Sequence, residues 1–309
     1  MQSWSSDVKR YRKFWLIFTA LLASHVALAS PATFVTALPV AKDQLLARLN
    51  WNPTFASQDL TSFQFPFNVA YGLNAKWTLF TTFNLQHTSL TSQTADGPRQ
   101  LGSGGLGDTL AFVRYTIFSV DKPKSTFRIA PLAGISLPTG SSMLQNSHGL
   151  LPPPLQTGSG GVSPYIGVAS GRNSTFYGFA GDSTFRHNPV EKAGITPGDQ
   201  FRADAEEELR LYPLTLPKLG LANEVWLSIE ENYQHNSLTH IGGNVSPGSN
   251  GSSFFQDAVV EYATLHYEVG AGIQIPVVQD LNSASAIREK RQFLFFTEYY
   301  LSGFKRRTK

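Results

Sequence analysis

Five charged side chains stand at every second position of one short segment: Arg202, Asp204, Glu206, Glu208 and Arg210. Between them lie Ala203, Ala205, Glu207 and Leu209, with Phe201 and Leu211 just outside. A strand points successive side chains to opposite faces, so a strand here has one face of mixed charge and one that is mostly apolar. Two carboxylates on one face could do general acid–base work. The flanking arginines, with Asp204 between them, favour instead a network of charges that satisfy one another. A soluble protein would wet the charged face and bury the other. A membrane barrel would turn the charges into its lumen and the apolar face to lipid.

Other chemical signals are weaker. Gly102-Ser-Gly-Gly-Leu-Gly107 fits the dinucleotide pattern G-x-G-x-x-G, but an alternating strand follows it where that fingerprint needs a helix. His235 and His240 lie five residues apart at a loop start, with no carboxylates at ligand spacing, so no metal site and no cofactor is expected. No Gly-x-Ser-x-Gly elbow stands out, although a barrel that cuts lipid esters would not need one. No catalytic residue is assigned, and the chain is read as a non-enzyme.

The elements that must hold the charged comb repeat its alternation. Phe63, Phe65, Phe67, Val69 and Tyr71 share one face of 62–71; Val269, Ala271, Ile273, Ile275 and Val277 share one face of 268–277. Similar period-2 runs of about ten residues recur along the chain. They predict twelve strands, within a range of ten to fourteen, at 44–52, 62–71, 75–87, 105–118, 125–138, 159–170, 175–186, 201–212, 222–235, 254–262, 266–277 and 292–304. Short links near 72–74, 119–124, 171–173, 213–221 and 263–265 alternate with long polar ones near 53–61, 88–104, 139–158, 187–200, 236–253 and 278–291. Short periplasmic turns and long extracellular loops are the pattern of an outer-membrane barrel. Trp51, Trp77, Tyr71, Tyr115, Tyr212 and Tyr233 fall near strand ends as interface aromatics would. In the last strand, setting Phe304 outward would send Glu298 outward too, unless a bulge intervenes.

The ends set the compartment. Lys9, Arg10, Arg12 and Lys13 precede an apolar run from Phe14 to Leu22, and Ala27-Leu28-Ala29 has the small-x-small form of a cleavage site. Residues 1–29 are therefore expected to be a secretory signal peptide cut after Ala29. The leader holds four of the 25 basic and one of the 22 acidic residues, which leaves 21 of each and no net charge. That balance argues against a nucleic-acid partner. The chain has no cysteine, and no apolar run after the leader is long enough for a transmembrane helix. Only 15% of residues are charged and 12% are aromatic, which suits a lipid-facing wall. The remainder is read as a periplasmic segment (30–43), a barrel (44–304) and a basic tail (305–309).

Several short patches resemble one bacterial family. Gly104-Gly-Leu-Gly-Asp-Thr-Leu-Ala-Phe-Val-Arg-Tyr115, Ala133-Gly-Ile-Ser-Leu-Pro-Thr-Gly140, Gly158-Ser-Gly-Gly-Val-Ser-Pro-Tyr165 and Gly270-Ala-Gly-Ile-Gln-Ile-Pro276 resemble the outer-membrane barrels labelled for a MetA-pathway of phenol degradation, or simply transporters. The resemblance implies a channel for small, often aromatic, compounds and supplies no catalytic residues. The basic end after Phe304 departs from the aromatic terminus common in barrels.

The reading is an all-β antiparallel transmembrane barrel, a monomer in a Gram-negative outer membrane. Its expected partners are lipid, the barrel-assembly machinery and a small, possibly aromatic, hydrophobic or weakly polar solute. Arg48, Lys76, Arg114, Arg128, Asp182, Arg202, Asp204, Glu206, Glu208, Arg210, Glu230 and Glu268 are expected to line the lumen and tune which solutes pass. The alternatives are a non-conducting surface barrel whose loops bind a partner, a lipid-acting barrel enzyme, and a soluble exported β-sandwich.

Overall fold

A computed structural model describes residues 31–94, 97–147, 149–188, 195–215, 223–245, 250–281 and 287–301. The signal peptide, its cleavage site, Phe304 and the basic tail lie outside the described residues. Twelve staves form one closed antiparallel barrel. They are β1 (Leu45–Ala56), β2 (Thr61–Gly72), β3 (Trp77–Thr94), β4, β5 (Ser125–Leu137), β6 (Ser163–Ser174), β7 (Tyr177–Arg186), β8 (Gln200–Tyr212), β9 (Asn223–Asn236), β10 (Gly251–Thr264), β11 (Tyr267–Leu281) and β12 (Glu289–Leu301). The stave β4 is broken into Gly97–Leu106, Thr109–Tyr115 and Phe118–Lys122. Each stave pairs with its neighbours in chain order, and β12 pairs with β1 from Leu45–Leu301 to Ala56–Glu289, which closes the ring. Closure leaves no sheet edge, the condition for backbone to cross hydrocarbon. A two-sheet sandwich is thereby excluded.

Burial is inverted relative to a water-soluble protein. Phe65, Phe67, Leu79, Phe83, Ile166, Val260 and Ile275 are exposed on the outer wall, while Glu230, Glu261 and Glu268 are fully buried inside. At the end carrying the short turns, Tyr71, Trp77, Tyr212, Tyr267 and Tyr299 are exposed, and Trp77 packs on Tyr115 with centroids 4.5 Å apart. Trp51 belongs instead to the middle of the wall, stacked on Phe295 at 5.0 Å.

Two expectations change. Residues 88–104, expected as a long loop, are mostly strand: β3 runs to Thr94 and pairs with the first segment of β4 from Leu85–Leu106 to Thr94–Gly97. That segment of β4 pairs with β3 and not with β5, which ends at Leu137, so the hairpin stands above the closed part of the wall. Its side chains are mostly polar or glycine, with Leu90 and Leu101 packed on the inturned loop after β5, and so it shows no sustained alternation to read. The other change concerns 30–43, the expected periplasmic segment. Its described part, 31–43, enters the barrel and lies against the inner wall.

The break in β4 has a local cause. Asp108 turns its carboxylate to the loop after β5, accepting from the Gly140 amide at 3.1 Å and the Ser159 amide at 2.7 Å. A Cβ on Gly158 would come within 2.6 Å of Asp108 Oδ1 and 2.5 Å of the Gly140 carbonyl carbon, so glycine is required there. Three of the family-like patches thus meet at one latch. Replacing Asp108 with alanine leaves two amides without an acceptor, an expected loss of about 1–3 kcal/mol. The expected readout is faster protease cleavage within 139–158, with the barrel wall still resistant.

Candidate functional site: the lumen

Nine of the twelve residues expected to line the lumen are buried inside the barrel: Arg48, Arg114, Asp182, Asp204, Glu206, Glu208, Arg210, Glu230 and Glu268. Arg128 and Arg202 are half-buried and line the cavity. Lys76 does not join them: it is exposed in the turn between β2 and β3. Glu224, Asp257, Glu261 and Glu298 are also buried and were not anticipated. In β10 it is the odd positions that turn inward, and the alternation of Asp257, Val259 and Glu261 against Ala258, Val260 and Tyr262 carried that signal. Glu298 faces inward beside Arg48.

The interior has two unlike walls. On β7–β12, ten buried carboxylates face three buried arginines, counting β1 and β4 among the described residues. Arg210 lies 2.9 Å from Glu224, whose same oxygen accepts from Trp226 Nε1 at 2.9 Å, and the guanidinium sits 4.7 Å above the Trp226 ring. Arg48 reaches Glu298 at 3.7 Å and lies 3.7 Å over the Phe296 ring. Asn232 and Gln274 both donate to Asp257, at 3.0 and 2.9 Å, and Asn173 donates to Glu208 at 2.7 Å. These groups fill the half of the lumen behind β8–β12. Apart from Arg48 on β1, the wall on β1–β3 is neutral and polar: Asn50, Asn52, Ser62, Gln64, Asn68 and Thr82. Beside it stands an aromatic patch. Phe80 and Phe112 stack at 4.7 Å, Tyr165 adds a third ring at 5.6 Å, and Arg114 lies 4.8 Å above Phe80.

The N-terminal segment, called the strap below, crosses this space. The Ala32 amide donates to Glu230 at 2.5 Å, and the Thr33 hydroxyl bonds both Glu230 and Asn232. The Val35 amide donates to Asp182 at 3.4 Å, and the Arg114 guanidinium grips the carbonyls of Thr36 and Leu38. Ala37 packs without exposure against Ala130 and Ala169. At the long-loop mouth, Leu151 and Leu155 of the loop after β5 fold inward onto Ala56, Leu60 and Leu90. A cavity of about 2130 Å³ remains. Gln200, Asn236 and Glu289 line it at the long-loop end, and Lys122, Leu265 and His266 at the other.

Other candidate chemistry is sparse. The Gly102–Gly107 run lies in β4 and its break, with strand on both sides. Among the described residues no group of three His, Cys, Asp or Glu side chains is arranged to hold a metal ion. His235 Nδ1 lies 2.9 Å from Ser252 Oγ on the outer wall, with Tyr233 on the same hydroxyl at 3.0 Å. Both strands there are paired on both edges, so their amides are engaged in the ladder rather than free to hold an oxyanion.

This architecture is that of an outer-membrane-type β-barrel of twelve strands. The COG4313 outer membrane channel from Pseudomonas putida F1 has a solved structure that aligns with a TM-score of 0.61, over 89% of this chain and 100% of that one, at 13% identity. The β domain of the Bordetella autotransporter BrkA aligns at 0.44, over 83% and 98%, at 12% identity. At such identities the first likeness establishes the fold. No family model matches the chain, and no curated protein does.

Proposed function

We propose that this protein is a channel of a Gram-negative outer membrane, reached through cleavage of the leader, with its long loops outside and its short turns in the periplasm. The observation that carries the reading is the cavity of about 2130 Å³, lined from one end of the barrel to the other beside the strap. A barrel serving only as an anchor has no need of such a space. The solved channel with the same fold and the short family-like patches support the same placement, including membership of the MetA-pathway barrels.

The solute class follows from the free wall. Amides and hydroxyls on β1–β3 face the Phe80, Phe112 and Tyr165 rings. Such a path suits a small, weakly polar aromatic compound, held by stacking and passed along neutral hydrogen-bonding groups. Replacing Phe112 with alanine is expected to slow uptake of a phenol-like solute several-fold into liposomes, and to change uptake of a small sugar far less.

The decisive test is conductance in planar bilayers under a salt gradient. The excess of carboxylates over arginines predicts cation preference, read from the sign of the reversal potential. Asp182→Asn with Asp204→Asn should reduce that preference. Absence of conductance and of solute uptake in both orientations would overturn the channel reading in favour of a surface anchor.

A further inference from the structure

Among the described residues, the outer wall gathers acidic and amide side chains at mid-height on three neighbouring staves. On β8 the outward positions run Phe201, Ala203, Ala205, Glu207, Leu209 and Leu211; on β9 they run Val225, Leu227, Ile229, Glu231, Tyr233 and His235. Glu207 and Glu231 are exposed, and neither makes a hydrogen bond or ion pair with another described residue. Gln256 of β10 stands directly opposite Glu231 on the same face, also exposed and also without a partner among the described residues. Glu207 lies five residues along β8 from Tyr212, the aromatic at the short-turn rim. At about 3.3 Å per residue and a tilt near 40°, that sets it roughly 13 Å up a hydrophobic band about 25 Å tall. Hydrocarbon offers these groups nothing to bond.

The surroundings of the patch are small on the β8 side and aromatic on the β9–β10 side. One cross-strand row reads Gly181, Ala205, Glu231, Gln256, and the next reads Ser183, Ala203, Tyr233, Phe254. Small residues let another wall approach closely, as they do between membrane helices. The outward basic side chains Arg172, Lys290 and Arg291 sit near the strand ends, not at this height. The patch does carry its own donor beside its acceptor. An isologous contact is self-complementary in this sense.

We propose that the outer face of β8–β10 is an interface with a second copy of this chain, against the monomer expected from the sequence. A two-fold axis parallel to the barrel, passing between β9 and β10, sets Glu231 of each copy opposite Gln256 of the other. Each Glu231 carboxylate then accepts an amide N–H from Gln256 of the other copy, while Glu207, in the row of Ile229 and Ala258, lies at the margin of the contact. The small side chains of Ala205 and Ala258 bring the two walls together. This inference rests on the membrane placement proposed above.

The absence of native cysteine makes the test direct. Ala258→Cys places a thiol beside the axis, and Ala133→Cys on the outward face of β5 places one on a different part of the wall. In intact outer membranes, a short bis-maleimide should join A258C into a species of twice the chain mass and leave A133C single. Adding Glu231→Leu and Gln256→Leu to A258C should lower the cross-linked yield several-fold, with the amount of folded barrel unchanged. Equal yields from A258C and A133C, or capture of a protein of another mass by A258C, would overturn the proposal. Fractionation of the same cells separates the two readings: a protein missing from the outer membrane refutes the placement, whereas a single A258C species within it refutes the interface.

Discussion

Deleting residues 31–40 is expected to raise the conductance of the barrel several-fold and to leave its wall closed. The strap contributes no strand to the ring, since β1 begins at Leu45 and pairs with β12 and β2 alone. Its hold is made of single contacts to inward side chains: Ala32 and Thr33 on Glu230, Val35 on Asp182, and Arg114 on the carbonyls of Thr36 and Leu38. Removing it returns those side chains to water in a widened lumen, where a charged group is readily solvated. Conductance follows the open cross-section, so the change should be large while the gel mobility of the folded barrel should stay the same. Arg114→Leu should give an intermediate result, with brief openings to the wider level as the strap loosens from its carbonyl grip. Unchanged conductance in the deletion would mean that current runs wholly along the β1–β3 wall.

Replacing Arg210 with methionine is expected to destabilise the barrel by about 3–5 kcal/mol, the usual effect of stranding one charge of a buried pair. Arg210 and Glu224 lie 2.9 Å apart with side chains 1% and 2% exposed. Without the arginine, Glu224 keeps only the Trp226 indole N–H as a partner. Changing both, as Arg210→Met with Glu224→Leu, should recover most of the loss, because two apolar side chains need no partner beneath the Trp226 ring. Heat-modifiable gel migration measures both: the single variant unfolds at lower temperature, and the double variant returns toward the parent. Equal losses in single and double variants would show that packing volume, not the stranded charge, controls this corner.

The wall was largely legible in the sequence and the lumen only in part, for one physical reason. A strand with lipid on one side and polar groups on the other writes its environment into every second residue, and Phe63 to Tyr71 or Arg202 to Arg210 could be read that way. The hairpin at 85–106 rises where both faces meet water or loop, so its alternation vanished and it passed for a loop. Phe80 and Phe112 broke the pattern by putting rings on the inner face. Their significance depended on cross-strand register, Phe80 opposite Phe112, which no local window contains. The pairing of charges was hidden for the same reason: Arg48 and Glu298 are 250 positions apart until the ring closes. The strap was the least legible of all, because its fixed points, Glu230, Asp182 and Arg114, are scattered over three staves.

The strap also bears on the width of the ring. It is held by β4, β7 and β9 together, so three separated staves share one occupant. The occupant fixes a minimum girth, since a narrower ring could not hold both the strap and the ten carboxylates behind it. The bore of such a barrel is the difference between two parts of a single chain, the ring and the segment it encloses.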